Sequence, residues 1–274
     1  MTFACLALAL CTSLQEPVAS TQVSGFVTIG GVKLHYLDWG GRGEVLLFLA
    51  GTGDTAYAFD KFAPRFADQF RVIALTRRGY GKSDKPSSGY DIPTLSKDVL
   101  GFMDEQRIKR AHLICHSAGG DETTYLAVNY PDRVSKIVYM DAAYDRAKMA
   151  QMEKLDPMGS SKPSSKEQEL HWKGMDDFRP DFKAIKAPVL NFYAIFEGHP
   201  AVDAETPEEM REKARVFFED VIRPYQLGNI AQFRKDVPHA QVVEIRNSDH
   251  YFFEDPKQEE GVVSMIRAFL TGKT

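Results

Sequence analysis

The chain has 274 residues, of which 43% are hydrophobic and 26% charged, a composition typical of globular proteins. Its net charge is −4, and it has no long run of Lys or Arg, which argues against nucleic acid as a partner. No apolar stretch approaches the roughly 18 residues that a membrane-spanning helix needs. We therefore expect one domain with a large core, and the sequence leaves the oligomeric state open.

An apolar segment lies near the start of the chain. It runs from Phe3 to Cys11 and is followed by Pro17 and the triplet Val18-Ala19-Ser20. This order is similar to the apolar region and cleavage site of a secretory signal peptide, although no Lys or Arg precedes it. We expect residues 1–20 to be removed and the domain, residues 21–274, to be secreted or periplasmic; without cleavage the protein would be cytoplasmic. The mature chain would keep only Cys115, so no internal disulfide is expected.

Strand and helix patterns alternate along the rest of the chain. Residues 25–38 alternate around Gly30-Gly31 and predict a hairpin. Further apolar segments predict strands at 44–50, 71–76, 111–115, 136–140, 189–195 and 241–245. Helical periodicity covers 59–70, 92–106, 118–129, 207–222 and 258–270, with Thr206 and Glu209 as a capping box. The alternation predicts an α/β fold with a mainly parallel, eight-stranded sheet and helices on both faces.

One segment interrupts this alternation. Residues 146–186 carry a polar Ser/Lys/Pro centre at 160–165. We expect a small lid insertion that covers the ligand crevice at the carboxyl ends of the strands.

Ser117 is the candidate nucleophile. It lies between an apolar strand and a helical pattern, in the order Cys115-His116-Ser117-Ala118-Gly119. A sharp turn from strand to helix would hold its hydroxyl out at the top of the sheet, and small neighbours permit that turn. The usual spacing is G-x-S-x-G, and here Cys115 replaces the first glycine.

With these residues the chain resembles the α/β-hydrolase family over about 250 residues, from Gly25 to Leu270. Four further segments are similar to family landmarks: Leu49 to Gly53, Arg77 to Asp84, Tyr130 to Val134 and Ala187 to Leu190. Two positions depart from the pattern, since Ala50 stands where the family usually has His and Thr76 where Asp is common. The resemblance implies the α/β-hydrolase fold and a serine esterase-like activity.

A serine hydroxyl needs a neighbouring imidazole to take its proton. Of the seven histidines, His250 follows the last predicted strand in a loop that leads into the final helix, where the family places its base. Two carboxylates compete to orient it. Glu197 lies just past the strand that ends at residue 195, where most family members carry Asp, and Asp141 ends the preceding strand. We favour Glu197, because Asp141 could equally cap the segment that follows it.

The resemblance also implies an oxyanion hole of two backbone N–H groups. They belong to Ala118, directly after the nucleophile, and to Thr52 in the first loop, with Gly53 as the alternative to Thr52.

These residues predict a serine hydrolase that cleaves a small or medium carboxylic ester through an acyl-enzyme on Ser117. Haloalkane dehalogenases and epoxide hydrolases of the fold attack with Asp, so neither chemistry is expected. No metal spacing or dinucleotide motif is found, and no cofactor is implied. Two alternatives stay open: a ligand-binding or receptor-like protein with residual turnover, and a cofactor-free lyase or perhydrolase.

Overall fold

The structure, a computed structural model, describes residues 22–146, 149–159 and 162–272, so the predicted signal peptide at 1–20 lies outside the described residues. In these ranges eight strands form one sheet: β1 Val23–Ile29, β2 Val32–Gly40, β3 Val45–Leu49, β4 Arg71–Leu75, β5 Ala111–His116, β6 Val134–Met140, β7 Val189–Ile195 and β8 Gln241–Arg246. The same ranges contain seven α-helices: α1 Ile92–Glu105, α2 Gly119–Asn129, α3 Met149–Glu153, α4 Lys166–Asp177, α5 Glu208–Phe217, α6 Arg223–Asp236 and α7 Glu259–Thr271.

The strand order is β1-β2-β4-β3-β5-β6-β7-β8. Strands β1 and β2 form the predicted hairpin, and its turn residues Gly30 and Gly31 both have positive φ, which glycine adopts without strain. Strand β2 is antiparallel to β4, and every later pair is parallel. The predicted α/β fold with a mainly parallel, eight-stranded sheet is confirmed.

Helices cover both faces of the sheet because the central strands are apolar on both sides. In β3, Leu47 packs into a core that includes residues of α1, α2 and α6. Its neighbour Phe48 points to the opposite face and packs against α7 and the turns at 56–66. The carboxyl ends of the parallel strands therefore form one rigid edge between two helix layers.

The predicted helix over residues 59–70 is wrong. The chain forms two short 3₁₀ turns there, Ala56–Phe59 and Ala63–Phe66. Pro64, the second residue of the second turn, has no N–H to donate, so it interrupts a continuous helix. Phe59 and Phe66 are nevertheless fully buried, which explains their helix-like spacing.

The predicted helix over residues 207–222 ends too early. Helix α5 passes through a π-helical turn at residues 218–222 into α6, which ends at Asp236. Pro224 cannot donate a backbone hydrogen bond, and the π turn absorbs the change in register. The capping box is also wrong, since the Thr206 hydroxyl donates to Asp203 Oδ1 at 2.8 Å.

The segment between β6 and β7, residues 141–188, is the cap segment. It contains α3 and α4, and the N-cap of α4 is Ser165, whose hydroxyl accepts from the Gln168 N–H. Met175 on the buried face of α4 belongs to the same apolar cluster as Leu95 and Ala118. Helix α4 therefore lies over the turn that carries Ser117, and the opening of the segment as a lid stays a prediction.

Candidate active site

Ser117 lies on a strained turn between β5 and α2. Its φ is +51°, in the left-handed region that residues with a side chain rarely adopt. The turn needs small neighbours: a Cβ on Gly119 would lie 2.4 Å from the Leu49 carbonyl oxygen, and one on Gly120 would lie 2.1 Å from that of Ala142. Cys115, in place of the usual first glycine, is buried, and burial raises the pKa of its thiol. The turn thus presents the serine, and the thiol stays inert.

The predicted base, His250, contacts a carboxylate at the carboxyl edge of the sheet. His250, in the loop after β8, lies with its Nδ1 2.6 Å from Asp141 Oδ2. Asp141 follows β6 and also accepts from the Tyr144 hydroxyl at 2.5 Å and the Ala194 N–H at 3.2 Å. Its side chain is 3% exposed, whereas that of His250 is 35% exposed. A fixed, buried carboxylate therefore orients an imidazole that solvent and ligands can reach.

The preference for Glu197 is corrected by this arrangement, because the carboxylate that contacts His250 is Asp141. Glu197 lies two residues beyond the end of β7 and lines a separate cavity of about 400 Å³ with His199, Arg211 and Glu219. It lies close enough to Arg223 to help raise the pKa of that guanidinium. The sequence identified a carboxylate at the end of each of two strands, Asp141 after β6 and Glu197 after β7. Only the folded sheet determines which of the two carboxylates faces the imidazole.

His116, directly before Ser117, contacts the loop that carries His250. It is fully buried, and its Nε2 lies 2.9 Å from the His250 carbonyl oxygen. Burial holds the pKa of His116 well below its ordinary value, so the ring is neutral and Nε2 carries the proton that the carbonyl accepts. Sequence reasoning missed this contact, which joins His116 to the loop that carries His250.

We expect His116→Leu to lower kcat by about tenfold to a hundredfold, because the His250 loop loses its anchor and the imidazole shifts. His116→Gln places an amide N–H near the position of Nε2 and should retain most of the activity. Steady-state kinetics of both variants, with thermal melting to verify folding, measure this. Equal losses in the two variants would contradict the hydrogen-bond role.

Residues 50–53, which follow β3 and include the predicted oxyanion donor Thr52, are called the oxyanion loop. Arg77 donates to the carbonyl oxygens of Ala50 at 2.9 Å and Gly51 at 3.1 Å. The N–H and C=O of a trans peptide point in opposite directions, so this contact turns the Thr52 N–H away from Arg77. A Cβ on Gly51 would lie 3.1 Å from the Ser117 Cβ, so the loop passes directly beside the nucleophile.

Two buried ion pairs join the first turn of α2 to the oxyanion loop and to the turn that carries Ser117. Glu122 binds Arg77 through both carboxylate oxygens, at 2.5 and 2.7 Å. Asp121 binds Arg146 at 2.7 Å, and Arg146 also donates to the Ser117 carbonyl oxygen at 2.9 Å. Burial raises the pKa of Asp121 to about 6, against the pull of Arg146. The first turn of α2 thus anchors the oxyanion loop on one side and the nucleophile turn on the other.

Ala118 and Gly53 are the other predicted N–H donors of the oxyanion hole. Ala118 is buried at the N-terminal end of α2, where backbone N–H groups lack helical partners. Gly53 has a φ of +83°, and a Cβ there would lie 3.2 Å from Gln168 Nε2 of α4. Thr52 thus follows Gly51, which lies beside Ser117, whereas Gly53 lies close to α4 of the cap segment.

A second carboxylate lies at the rim of the site. Asp54 Oδ2 accepts from the Tyr251 hydroxyl at 3.1 Å and lies 3.9 Å from His116 Nδ1. Burial raises the pKa of Asp54. Burial also raises the pKa of Tyr251 to about 12, so the phenol remains a donor. Sequence reasoning missed Asp54, whose only signal was its place directly after the first loop.

The described residues meet the requirements of neither a metal site nor a membrane-spanning helix. No group of three or more His, Cys, Asp or Glu residues there is arranged to hold a metal ion. None of the helices in those ranges has the length and apolar character to cross a membrane.

Comparison with known sequences gives related proteins of several activities. A profile of the alpha/beta hydrolase fold matches residues 44–194. The 2-(acetamidomethylene)succinate hydrolase of Mesorhizobium japonicum is 33% identical over 119 residues, which are 43% of this chain and 42% of that protein. The non-heme chloroperoxidase of Streptomyces lividans is 38% identical over 118 residues, 42% of this chain and 43% of the relative. The soluble epoxide hydrolase of a Corynebacterium species is 33% identical over 113 residues, 41% and 39% of the two chains.

The matched region spans about two fifths of the length of these curated relatives. Solved structures extend the likeness over the whole domain. A crystal structure of E-2-(acetamidomethylene)succinate hydrolase superposes with a TM-score of 0.67 at 21% identity and covers 91% of this chain and 99% of its own. The crystal structure of the enol-lactonase from Burkholderia xenovorans LB400 superposes with a TM-score of 0.65 at 18% identity. The superposition covers 90% of this chain and 100% of the enol-lactonase chain. At these identities the likeness concerns the fold.

Proposed function

The chain belongs to the α/β-hydrolase family, and from that membership we propose that it is a serine hydrolase that cleaves a small or medium carboxylic ester. One observation carries the proposal: the 2.6 Å contact between His250 Nδ1 and Asp141 Oδ2. Ser117 lies on a strained turn close to this pair, since its backbone N–H donates to the carbonyl oxygen of Met140, the residue before Asp141, at 3.3 Å. With Nδ1 facing the carboxylate, Nε2 of His250 is the atom left to take a proton from Ser117. This is the division of roles in a Ser-His-Asp triad.

The reaction follows from these roles. Ser117 Oγ attacks the ester carbonyl carbon while its proton passes to His250 Nε2. The oxyanion that forms is stabilised by the backbone N–H groups of Thr52 and Ala118. His250 then protonates the departing alcohol, which leaves an acyl-enzyme on Ser117. A water molecule, deprotonated by His250, releases the carboxylic acid and restores the serine.

The residue at the strand-to-helix turn distinguishes the proposed reaction from that of the epoxide hydrolases among the relatives. Epoxide opening in this fold uses an Asp at the strand-to-helix turn, because a carboxylate must displace at carbon. This chain carries Ser117 at that position. A serine alkoxide is instead suited to attack on a carbonyl, which favours esters or activated amides.

The test is a substrate panel: p-nitrophenyl esters of increasing acyl length, the p-nitroanilide with the best acyl group, and styrene oxide. We expect ester hydrolysis that is fastest for short or medium acyl chains, slower anilide hydrolysis and no epoxide opening above buffer. Epoxide opening, or anilide turnover faster than that of the matched ester, would overturn the proposed substrate class.

The chloroperoxidase relative favours one further candidate, perhydrolysis. The same acyl-enzyme would be attacked by hydrogen peroxide instead of water and would release a peracid. Adding peroxide to the ester assay and measuring the oxidation of bromide by the peracid distinguishes the two nucleophiles.

A further inference from the structure

Tyr80 lies at the centre of a hydrogen-bond cluster that joins three separate segments. It belongs to the turn after β4, and its side chain is almost fully buried. Its hydroxyl lies 3.2 Å from Thr52 Oγ1 in the oxyanion loop and 2.9 Å from His171 Nδ1 in α4. The Gly53 backbone amide also interacts with this oxygen. One phenol group therefore contacts both the oxyanion loop and the cap segment.

Helix α4 holds the oxyanion loop at a second point. Trp172, next to His171, donates its Nε1–H to Thr52 Oγ1 at 3.0 Å. Thr52 is therefore bound on one side by Tyr80 and on the other by Trp172. Two adjacent residues of the cap segment thus act on one residue of the oxyanion loop, one directly and one through Tyr80.

These groups are neutral, so hydrogen bonds and not charges carry the connection. Burial raises the pKa of Tyr80 and keeps the phenol protonated. Burial also holds the pKa of His171 well below its ordinary value, and the nearby Arg77 and Arg146 lower it further. All three bonds are satisfied when Trp172 donates to Thr52, Thr52 to Tyr80 and Tyr80 to His171 Nδ1, and also when the proton direction between Thr52, Tyr80 and His171 is reversed.

We propose that Tyr80 and His171 are positioning residues that hold Thr52 in the geometry needed to bind the oxyanion, so that docking of α4 completes the oxyanion hole. The inference rests on the proposed function. Arg77 fixes the peptide before Thr52, whereas Tyr80 fixes its side chain. Without the phenol hydroxyl, Thr52 Oγ1 keeps only the bond from Trp172, and Arg77 alone holds the peptide that carries the Thr52 N–H. Because Gly51 and Gly53 flank Thr52, the loop can then shift out of the geometry that the oxyanion needs.

Tyr80→Phe removes only the hydroxyl and keeps the ring that packs 5.8 Å from the Arg77 guanidinium. We expect kcat for p-nitrophenyl butyrate to fall by about tenfold to a hundredfold with KM unchanged, since a displaced oxyanion donor acts on the transition state alone. The affinity for a propyl trifluoromethyl ketone, which forms a tetrahedral oxyanion adduct, should fall by the same factor. A merely structural role would not produce this parallel loss.

The matched control is Tyr90→Phe. It removes another half-buried hydroxyl, one that donates to the Pro86 carbonyl oxygen at 2.9 Å and does not touch the oxyanion loop. We expect wild-type kcat and ketone affinity for this variant. Equal kinetics for Tyr80→Phe and Tyr90→Phe would overturn the inference.

His171 provides a second, independent pair of variants. Asn places an amide oxygen close to the position of Nδ1, so His171→Asn should keep kcat within about threefold of the wild type, whereas His171→Leu should lose as much as Tyr80→Phe. Equal kcat values for the Asn and Leu variants would remove His171 from the role.

The last readout does not depend on activity. The chain has only two tryptophans, Trp39 and Trp172, so an ¹⁵N spectrum shows two indole N–H signals, assigned with Trp172→Phe. Tyr80→Phe should shift the Trp172 signal and leave that of Trp39 in place. An unchanged Trp172 signal overturns the connection even if no ester is hydrolysed. An active wild-type enzyme with an unaffected Tyr80→Phe variant overturns this inference and leaves the proposed function intact.

Discussion

Ser117→Ala is expected to lower kcat for ester hydrolysis by about a millionfold, because the variant has no nucleophile to form the acyl-enzyme. Its thermal melting temperature should stay close to that of the wild type, since the lost hydroxyl lies on a partly exposed turn and supports no part of the core. Kinetics with p-nitrophenyl butyrate and a melting curve measure the two quantities on the same sample.

The matched control is Ser96→Ala on α1. The Ser96 hydroxyl is buried and has no hydrogen-bond partner among the described residues, so its removal should leave kcat unchanged. If Ser117→Ala keeps more than about a hundredth of the wild-type kcat, Ser117 is not the nucleophile.

Asp141→Asn should have the second largest effect, a loss in kcat of about ten thousandfold, the size of the corresponding change in serine proteases. The amide no longer stabilises the imidazolium and favours the wrong tautomer of His250. The matched control is Glu197→Gln, which removes a carboxylate at the end of the neighbouring strand and should cost less than about threefold, because no contact joins Glu197 to His250.

Kinetics of the two amide variants, each with a melting curve, decide between the carboxylates. The reverse ranking would transfer the orienting role to Glu197. A loss in Asp141→Asn that accompanies a large drop in melting temperature would instead show that the carboxylate serves the fold through Tyr144 and the Ala194 amide.

The sequence predicted the sheet well because a strand buried on both faces leaves a short, nearly continuous apolar run. The run at 189–195 coincides with β7, and the Gly30-Gly31 hairpin lies where the alternation placed it. The helix predictions failed where proline acts. Pro64 divides a segment whose aromatic residues have helical spacing, and Pro224 ends one helical register while the chain stays helical.

The candidate site was only partly predictable for a similar reason. Ser117 and His250 each lie in a local pattern, a strand-to-helix turn and the loop after the last strand. The choice of acid depends on which strand end faces the imidazole, and that is a property of the folded sheet. Tyr80 and His171 lie 91 positions apart, and no local pattern connects them. His171 also lies in a segment whose polar composition masked the buried face of α4.

Active-site labelling tests the central assignment most directly. A fluorophosphonate reacts with an activated serine, so one equivalent should attach to the wild-type protein, and peptide mass spectrometry should locate the adduct on Ser117. Asp141→Asn should label far more slowly, and Ser117→Ala should not label. An adduct on another residue, or no adduct under conditions that label a known serine esterase completely, would contradict the Ser117–His250–Asp141 triad.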